Sequence, residues 1–187
     1  MAISVQTERL LLRGFETSDA EEYFRITRDP LIQKFVPYAC LDTLEETIEC
    51  IDFYYANGDC INDFYVVIEE LESHKLVGAI IATKTLRDNF DMAILIDSSN
   101  RHKGYMTEAL LAFQTIIPAG SNLMFVIEKE NKASYSTVSK LPNIQEKPFT
   151  GEKRDEFYCF VLSVWSHKTK ALGRMPSAFC HFINNLI

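Results

Sequence analysis

The stretch SSNRHKGYMTEAL, Ser98 to Leu110, joins a polar, glycine-bearing turn to the start of an amphipathic helix, and an apolar run, Met92 to Ile96, precedes it as a strand. Strand, turn and helix in that order point the main-chain N–H groups of the first helical turn at one spot, with the positive end of the helix dipole behind them. Such a spot suits a diphosphate. Lys103 adds a mobile positive charge, and Gly104 lets the backbone approach an anion with no Cβ in the way. The helix runs on from Tyr105 to Ile117 with Ala109, Leu110, Phe113 and Ile117 facing inward, and Pro118 and Gly120 close it.

Downstream, Leu123 to Ile127 reads as a strand that leads through Glu128-Lys129-Glu130 to Asn131-Lys132-Ala133-Ser134, the start of a helix reaching Leu141. Upstream, Thr7 to Phe15 reads as one leucine-rich strand. Ser18-Asp19-Ala20-Glu21 reads as a capping box, opening a helix with Ala20, Tyr23, Phe24 and Thr27 on its core face and Asp29-Pro30 at its end. After a loop holding Phe35, Pro37 and Tyr38 comes a second box, Thr43-Leu44-Glu45-Glu46. Leu44, Ile48, Ile51 and Tyr55 then repeat at helical spacing as far as Asn57-Gly58. Phe64 to Ile68 and Leu76 to Thr83 form a hairpin whose turn, with Glu69, Glu70 and Glu72, reads as solvated, and Phe157 to Val161 is a late strand. This β-αα-βββ-α-β-α-β order implies an α/β fold, a mixed sheet with helices on both faces. Residues 1–165 read as one domain. In the remainder, 166–187, Phe179, Phe182, Ile183 and Leu186 fall at helical spacing, as a docked helix or a dimer contact.

Nearly half of the 187 residues are apolar, enough for a sizeable core. A net charge of -7 argues against general nucleic-acid binding, which needs a basic stripe, and suits a cationic or amine substrate. Cys40, Cys50, Cys60, Cys159 and Cys180 make an odd count with no C-x-x-C pair, which speaks against a disulfide framework or a zinc site and for a reducing cytoplasm. The start of the sequence lacks the basic-then-apolar pattern of a secretion signal, and no apolar run approaches a membrane span. His74, His102, His167 and His181 do not fall at metal-ligand spacing, so no metal is expected. The phosphate-binding signatures of ATP and NAD proteins, G-x-x-x-x-G-K-[ST] and G-x-G-x-x-G, are missing.

Four motifs stand in one order: Thr7-Glu8-Arg9-Leu10-Leu11-Leu12-Arg13, the strand ending at Asp97, Arg101 to Ala109 with its R-x-x-G-Y-x-T-E-A pattern, and Asn131-Lys132-Ala133-Ser134. With them the chain, over roughly residues 7 to 162, resembles the GNAT-superfamily N-acetyltransferases, in particular the branch of the ribosomal-protein-alanine acetyltransferases. The resemblance implies acetyl-CoA as the acyl donor and a primary amine, on a protein N-terminus or a small molecule, as acceptor, in a monomer or homodimer. It implies that Arg101, His102, Lys103, Gly104, Tyr105, Met106 and Thr107 hold the diphosphate, mostly through N–H groups. The pantetheine arm is then expected in a gap between two parting strands, against Leu95 and Ile96 on one side and Ile127 on the other, with an N–H near Leu95 polarising the thioester carbonyl.

Acetyl transfer to an amine also needs a proton acceptor. Asp91 sits close to where several family members carry a glutamate, Glu128 lies at the mouth of the gap, and either can serve. Asn131 is expected to cap a helix and touch the cofactor, and Ser134 matches a serine near the cofactor sulfur; Phe35 and Tyr38 are expected to line the acceptor pocket. No cysteine matches a catalytic position, which implies direct attack. Three departures stand against these matches: Met106 replaces a small residue of the phosphate turn, Val138 stands where many relatives have a tyrosine acid, and Pro142-Asn143 replaces Gly-Phe. They motivate an alternative, an acyl-CoA-binding module without turnover.

Overall fold

The computed structural model describes residues 3–55, 63–85, 88–149 and 154–164. Its strands are β1 (Ser4–Gln6), β2 (Leu10–Gly14), β3 (Phe64–Glu70), β4 (Lys75–Lys84), β5 (Asn89–Ile96), β6 (Asn122–Glu128), β7 (Ile144–Lys147) and β8 (Phe157–Ser163). They form one sheet in the order β1-β2-β3-β4-β5-β6-β8-β7, antiparallel except for the parallel pair β5 and β6. Its helices are α1 (Ala20–Thr27), α2 (Pro30–Phe35), α3 (Leu44–Cys50), α4 (Tyr105–Phe113) and α5 (Lys132–Val138). Side chains alternate across each strand, so the sheet buries two separate cores. Leu10, Leu12, Ile68, Ile80, Phe90 and Phe125 meet α4 and α5, while Val67, Ala79, Ile81, Ala93 and Leu95 meet α1 and α2. Helices on both faces of a mixed sheet are the expected architecture.

Several local readings change. The N-terminal strand is two: Thr7 donates from its hydroxyl to the Leu10 carbonyl at 3.2 Å and accepts from the Leu10 N–H at 2.9 Å, so Thr7 to Arg9 turn the chain between β1 and β2. The cap before α1 is not Ser18; Asp19 accepts from the Glu16 N–H at 2.8 Å and from the Arg13 guanidinium at 2.8 Å. The α1 core face contains Ile26 in place of Phe24, which lies under the Arg28 guanidinium at 4.5 Å. The second capping box is present, with Thr43 Oγ1 accepting from Glu46 N–H at 3.1 Å, and α3 continues as a π-helical turn to Tyr55. The acidic hairpin is not simply solvated: Glu69 pairs with Arg13 at 2.9 Å and with His74, and Glu70 accepts from the Tyr105 hydroxyl. Helix α4 ends at Phe113, although Ile117 is still buried, and α5 ends at Val138. Asn57-Gly58, Cys60, Cys180 and the C-terminal segment 166–187 lie outside the described residues.

Two of the four sequence motifs lock together. The Glu108 carboxylate, on α4, accepts from Thr7 Oγ1 at 2.6 Å, from the Arg9 N–H at 3.1 Å and from Arg9 Nε at 2.8 Å, while Arg9 also donates to the Lys103 carbonyl at 3.0 Å. Burial opposes ionisation of Glu108, and these donors more than offset it, so its pKa is lowered. Glu108→Ala should cost about 2 kcal/mol at neutral pH, a drop in Tm of about 4–8 °C for a chain of this size. Because the folded-state pKa lies below the unfolded one, the contribution is lost as pH falls through the folded-state value. Variant and wild-type unfolding curves are expected to converge in acid.

Candidate active site

Strands β5 and β6 pair over only three rungs, Asn89 with Asn122, Phe90 with Leu123 and Asp91 with Met124, and then part. The ladders on either side show which main-chain groups face the opening. On β5, Asp97 donates to the Val77 carbonyl at 2.9 Å and Thr85 donates to the Asn89 carbonyl at 2.8 Å, so odd-numbered residues exchange bonds with β4. On β6, Val164 donates to the Ser121 carbonyl at 2.8 Å and Lys129 to the Glu156 carbonyl at 2.8 Å, so odd-numbered residues there exchange bonds with β8. The gap is therefore edged by the Met92 C=O and the N–H and C=O groups of Ile94 and Ile96 on one arm, and by the N–H and C=O groups of Val126 and Glu128 on the other. This moves two expectations by one residue. Leu95 and Ile127 turn their main-chain groups away from the gap, and the Leu95 carbonyl lies 2.4 Å from where a Cβ on Gly78 would stand.

At the open end of β5 the chain turns through Ser98 to Gly104. His102 has φ 64° and Gly104 φ 81°, so successive N–H groups curl toward one side just as α4 begins. Four contacts fix this turn. Asp97, buried, accepts from Arg25 at 3.1 Å and from Ser99 Oγ at 2.6 Å. Arg101 donates to Asp29 at 3.0 Å, and Arg9 holds the Lys103 carbonyl. The Arg101 guanidinium is thus committed to the N-cap of α2 while the residue still lines the groove. The Tyr105 side chain points to Glu70 under the Arg9 guanidinium, 4.6 Å from its ring, and Met106 is buried in the core, which leaves both to act through their N–H groups. Lys103 reaches Asn100 at 2.7 Å.

A groove of about 480 Å³ runs from this turn along α5, past Thr107, Lys132, Thr137 and Lys140, to Ser134. Asn131 caps α5 by accepting from the Ser134 N–H at 3.1 Å. A second cavity, about 580 Å³, opens on the α1–α3 face and is walled by Phe35, Pro37, Tyr38, Met124, Val126 and Phe157, with Asp91 and Glu128 on it. Ile94 and Ser134 line both, so the two spaces meet inside the gap. Asp91 stands on the last rung before the strands part; it is exposed to the cavity, and partial desolvation by the cavity walls raises its carboxyl pKa. Although 70% of Tyr38 is exposed, partial desolvation of its phenol, and then the charge of Asp91, raise its pKa. Sequence reading found Asp91, Asn131, Ser134, Phe35 and Tyr38 on these walls. It missed Lys132, in the first turn of α5, and Lys140, just past its end, which bring two cations to the groove, and Ile94, whose part is main-chain and leaves no side-chain signal. No cluster of three or more potential metal ligands occurs among the described residues, and none of their helices is long and apolar enough to cross a membrane.

The model of the acetyltransferase (GNAT) domain matches residues 9–141, well over half of the chain. The chain belongs to the GNAT acetyltransferase family. It is 27% identical over 169 residues to an uncharacterized N-acetyltransferase of Bacillus subtilis, YnaD, covering 84% of this chain and 96% of that protein. Among solved structures, a GNAT-family acetyltransferase of Bacillus anthracis superposes with a TM-score of 0.68 at 20% identity, over 86% of this chain and 98% of the other. The spermidine N-acetyltransferase of Vibrio cholerae, in complex with CoA and spermine, superposes with a TM-score of 0.67 at 15% identity, over 84% and 97%. This GNAT protein is thus an acetyl-CoA-dependent acetyltransferase, and its parts fit that donor: a curl of N–H groups flanked by lysines for the diphosphate, and strand edges for an arm bearing amides. A Cβ on Gly104 would meet nothing nearer than Arg9 at 3.6 Å, so the glycine answers to its left-handed φ rather than to crowding. Gly104→Val should weaken acetyl-CoA binding at least tenfold, about 1.4 kcal/mol, in titration calorimetry of a folded variant.

Proposed function

We propose that this enzyme acetylates a primary amine, at a protein N-terminus or on a small molecule, by direct attack, with Asp91 as the proton acceptor. The observation that carries the reading is the place of Asp91, at the crotch of the gap on the wall of the cavity that meets the cofactor groove. A carboxylate whose pKa is raised by desolvation is a stronger base than a fully solvated one. Glu128, four residues beyond the last β6 rung, sits toward the mouth, farther along the strand from that crotch. The net charge of -7 favours arrival of cations.

Acetyl-CoA supplies the acetyl group as an activated thioester. The N–H groups from His102 to Thr107, with Lys103, Lys132 and Lys140 nearby, hold its diphosphate; Ile94 and Ile96 on β5 and Val126 on β6 bind the arm. The Ile94 N–H, facing the gap, is the donor for the carbonyl oxygen, where a fixed dipole in a water-poor space stabilises developing negative charge. Ser134 holds the sulfur end, Phe35 and Tyr38 seat the amine, and Asp91 removes the ammonium proton so that the lone pair can attack. Burial pushes up the Cys159 thiol and also Cys40, partly countered there by Arg28, so neither is suited to an acyl-enzyme route. Met106 and Val138 lie in the core and leave the groove open, which weighs against the non-catalytic alternative.

The ordered motifs support a place in the ribosomal-protein-alanine acetyltransferase branch, and an odd cysteine count with no C-x-x-C pair supports a reducing cytoplasm. Free CoA released over an amine panel tests the reaction; binding without release would favour the silent module. Asp91→Asn should lower kcat about a hundredfold while acetyl-CoA affinity stays within twofold. The rise of wild-type kcat/KM with pH, through the raised Asp91 pKa, should vanish in the variant; an unchanged kcat would remove Asp91 from the mechanism.

A further inference from the structure

Helix α2 is six residues long and only Ile32 in it is buried, with Leu31 49% exposed. Packing alone therefore holds it weakly, yet it roofs a cavity of about 250 Å³ over Ile94, Leu95 and Ile96. Its ends are tied to different arms of the gap. At the first, Asp29 accepts from the Leu31 N–H at 2.8 Å and from the Ile32 N–H at 3.3 Å, and pairs at 3.0 Å with Arg101, which follows β5. At the last turn, Lys34 pairs at 2.6 Å with Glu130, which follows β6 and precedes the α5 cap. The two ties differ in kind. Asp29 and Arg101 are 16% and 20% exposed, a sheltered joint, whereas Lys34 and Glu130 are 51% and 72% exposed, a pair that solvent and salt weaken.

We propose that Asp29 and Lys34 are positioning residues for the acetyl transfer: through Arg101 and Glu130 they brace α2 across the open end of the gap and so set the wall, Phe35 to Tyr38, on which the amine is seated. The proposal rests on the amine-acetylation reading. Whatever occupies the gap sets the spacing of its arms; the brace passes that spacing to the acceptor wall, so the amine site takes its final shape around the bound donor. The Asp29 joint acts as the hinge and the Lys34 pair as the latch.

A charge-swap cycle tests it. In the free protein, Lys34→Glu and Glu130→Lys each should speed hydrogen exchange of the Gln33 to Val36 amides at least threefold, and the double swap should restore protection. With an amine that turns over, each single reversal should raise its KM at least threefold, with kcat and acetyl-CoA Kd within twofold, and the double swap should again restore it. Asp29→Asn, whose side chain still caps a helix but carries no charge for Arg101, should give the same KM shift. Single reversals without effect on exchange and KM, a double swap that fails to restore them, or an Asp29→Asn variant with wild-type KM would overturn the brace. If no amine is acetylated by the wild-type protein, the functional reading fails, and the exchange measurements still decide whether the latch exists.

Discussion

The structure is organised by one interrupted pairing. After Asp91 and Met124 the two parallel strands separate, and main-chain groups of Met92, Ile94, Ile96, Val126 and Glu128 face a gap instead of each other. Backbone donors and acceptors kept from water need partners, and a ligand whose arm carries amides can supply them by adding as a strand does. The interruption also opens a passage through the sheet. One cavity comes from the α4–α5 face and another from the α1–α3 face, and Ile94 and Ser134 border both. Donor and acceptor can thus approach a common point from opposite faces of one sheet.

What keeps such an opening from collapsing or fraying is a set of ionic contacts around its rim. Asp97 with Arg25, Asp29 with Arg101, and Arg9 with Glu108 and the Lys103 carbonyl tie the turn from Ser98 to Gly104 to α1, to α2 and to the β1–β2 turn. In Asp29, Asp97 and Glu108 burial opposes ionisation and hydrogen-bond donors outweigh it, leaving each carboxyl pKa lowered. Asp91 is the exception on the same sheet: apolar walls raise its pKa. The same residue type thereby meets two environments, a lowered pKa where donors converge and a raised one where they do not.

Much of this was legible in the residues. The strand, glycine turn and helix around Gly104 followed from spacing, as did the apolar runs of β3, β4 and β6 and the Thr43–Glu46 cap, because those signals are local. Errors arose where a contact came from far away. Thr7 to Arg9 carry strand-like neighbours but turn to serve Glu108, and Glu69 and Glu70 look like loop charges yet answer Arg13 and Tyr105. Pro142-Asn143 illustrates a milder case: Asn143 takes a φ of 62°, a left-handed conformation that asparagine tolerates, so the chain still turns from α5 into β7.

By itself the sequence determined most of the order of strands and helices, though not α2, β7 or the division of β1 from β2, together with the glycine turn before α4 and which carboxylates, aromatics and small polar residues could take part, since each depends on residue type and near spacing. Only the tertiary structure decided which main-chain groups edge the gap, that Asp91 rather than Glu128 stands at its crotch, and that Arg101 is bound to α2. The physical reason is that ladder phase and ion-pair choice are set by neighbours far along the chain. A one-residue change of phase turns every N–H from one side of a strand to the other, and nothing in the side-chain pattern of that strand records it.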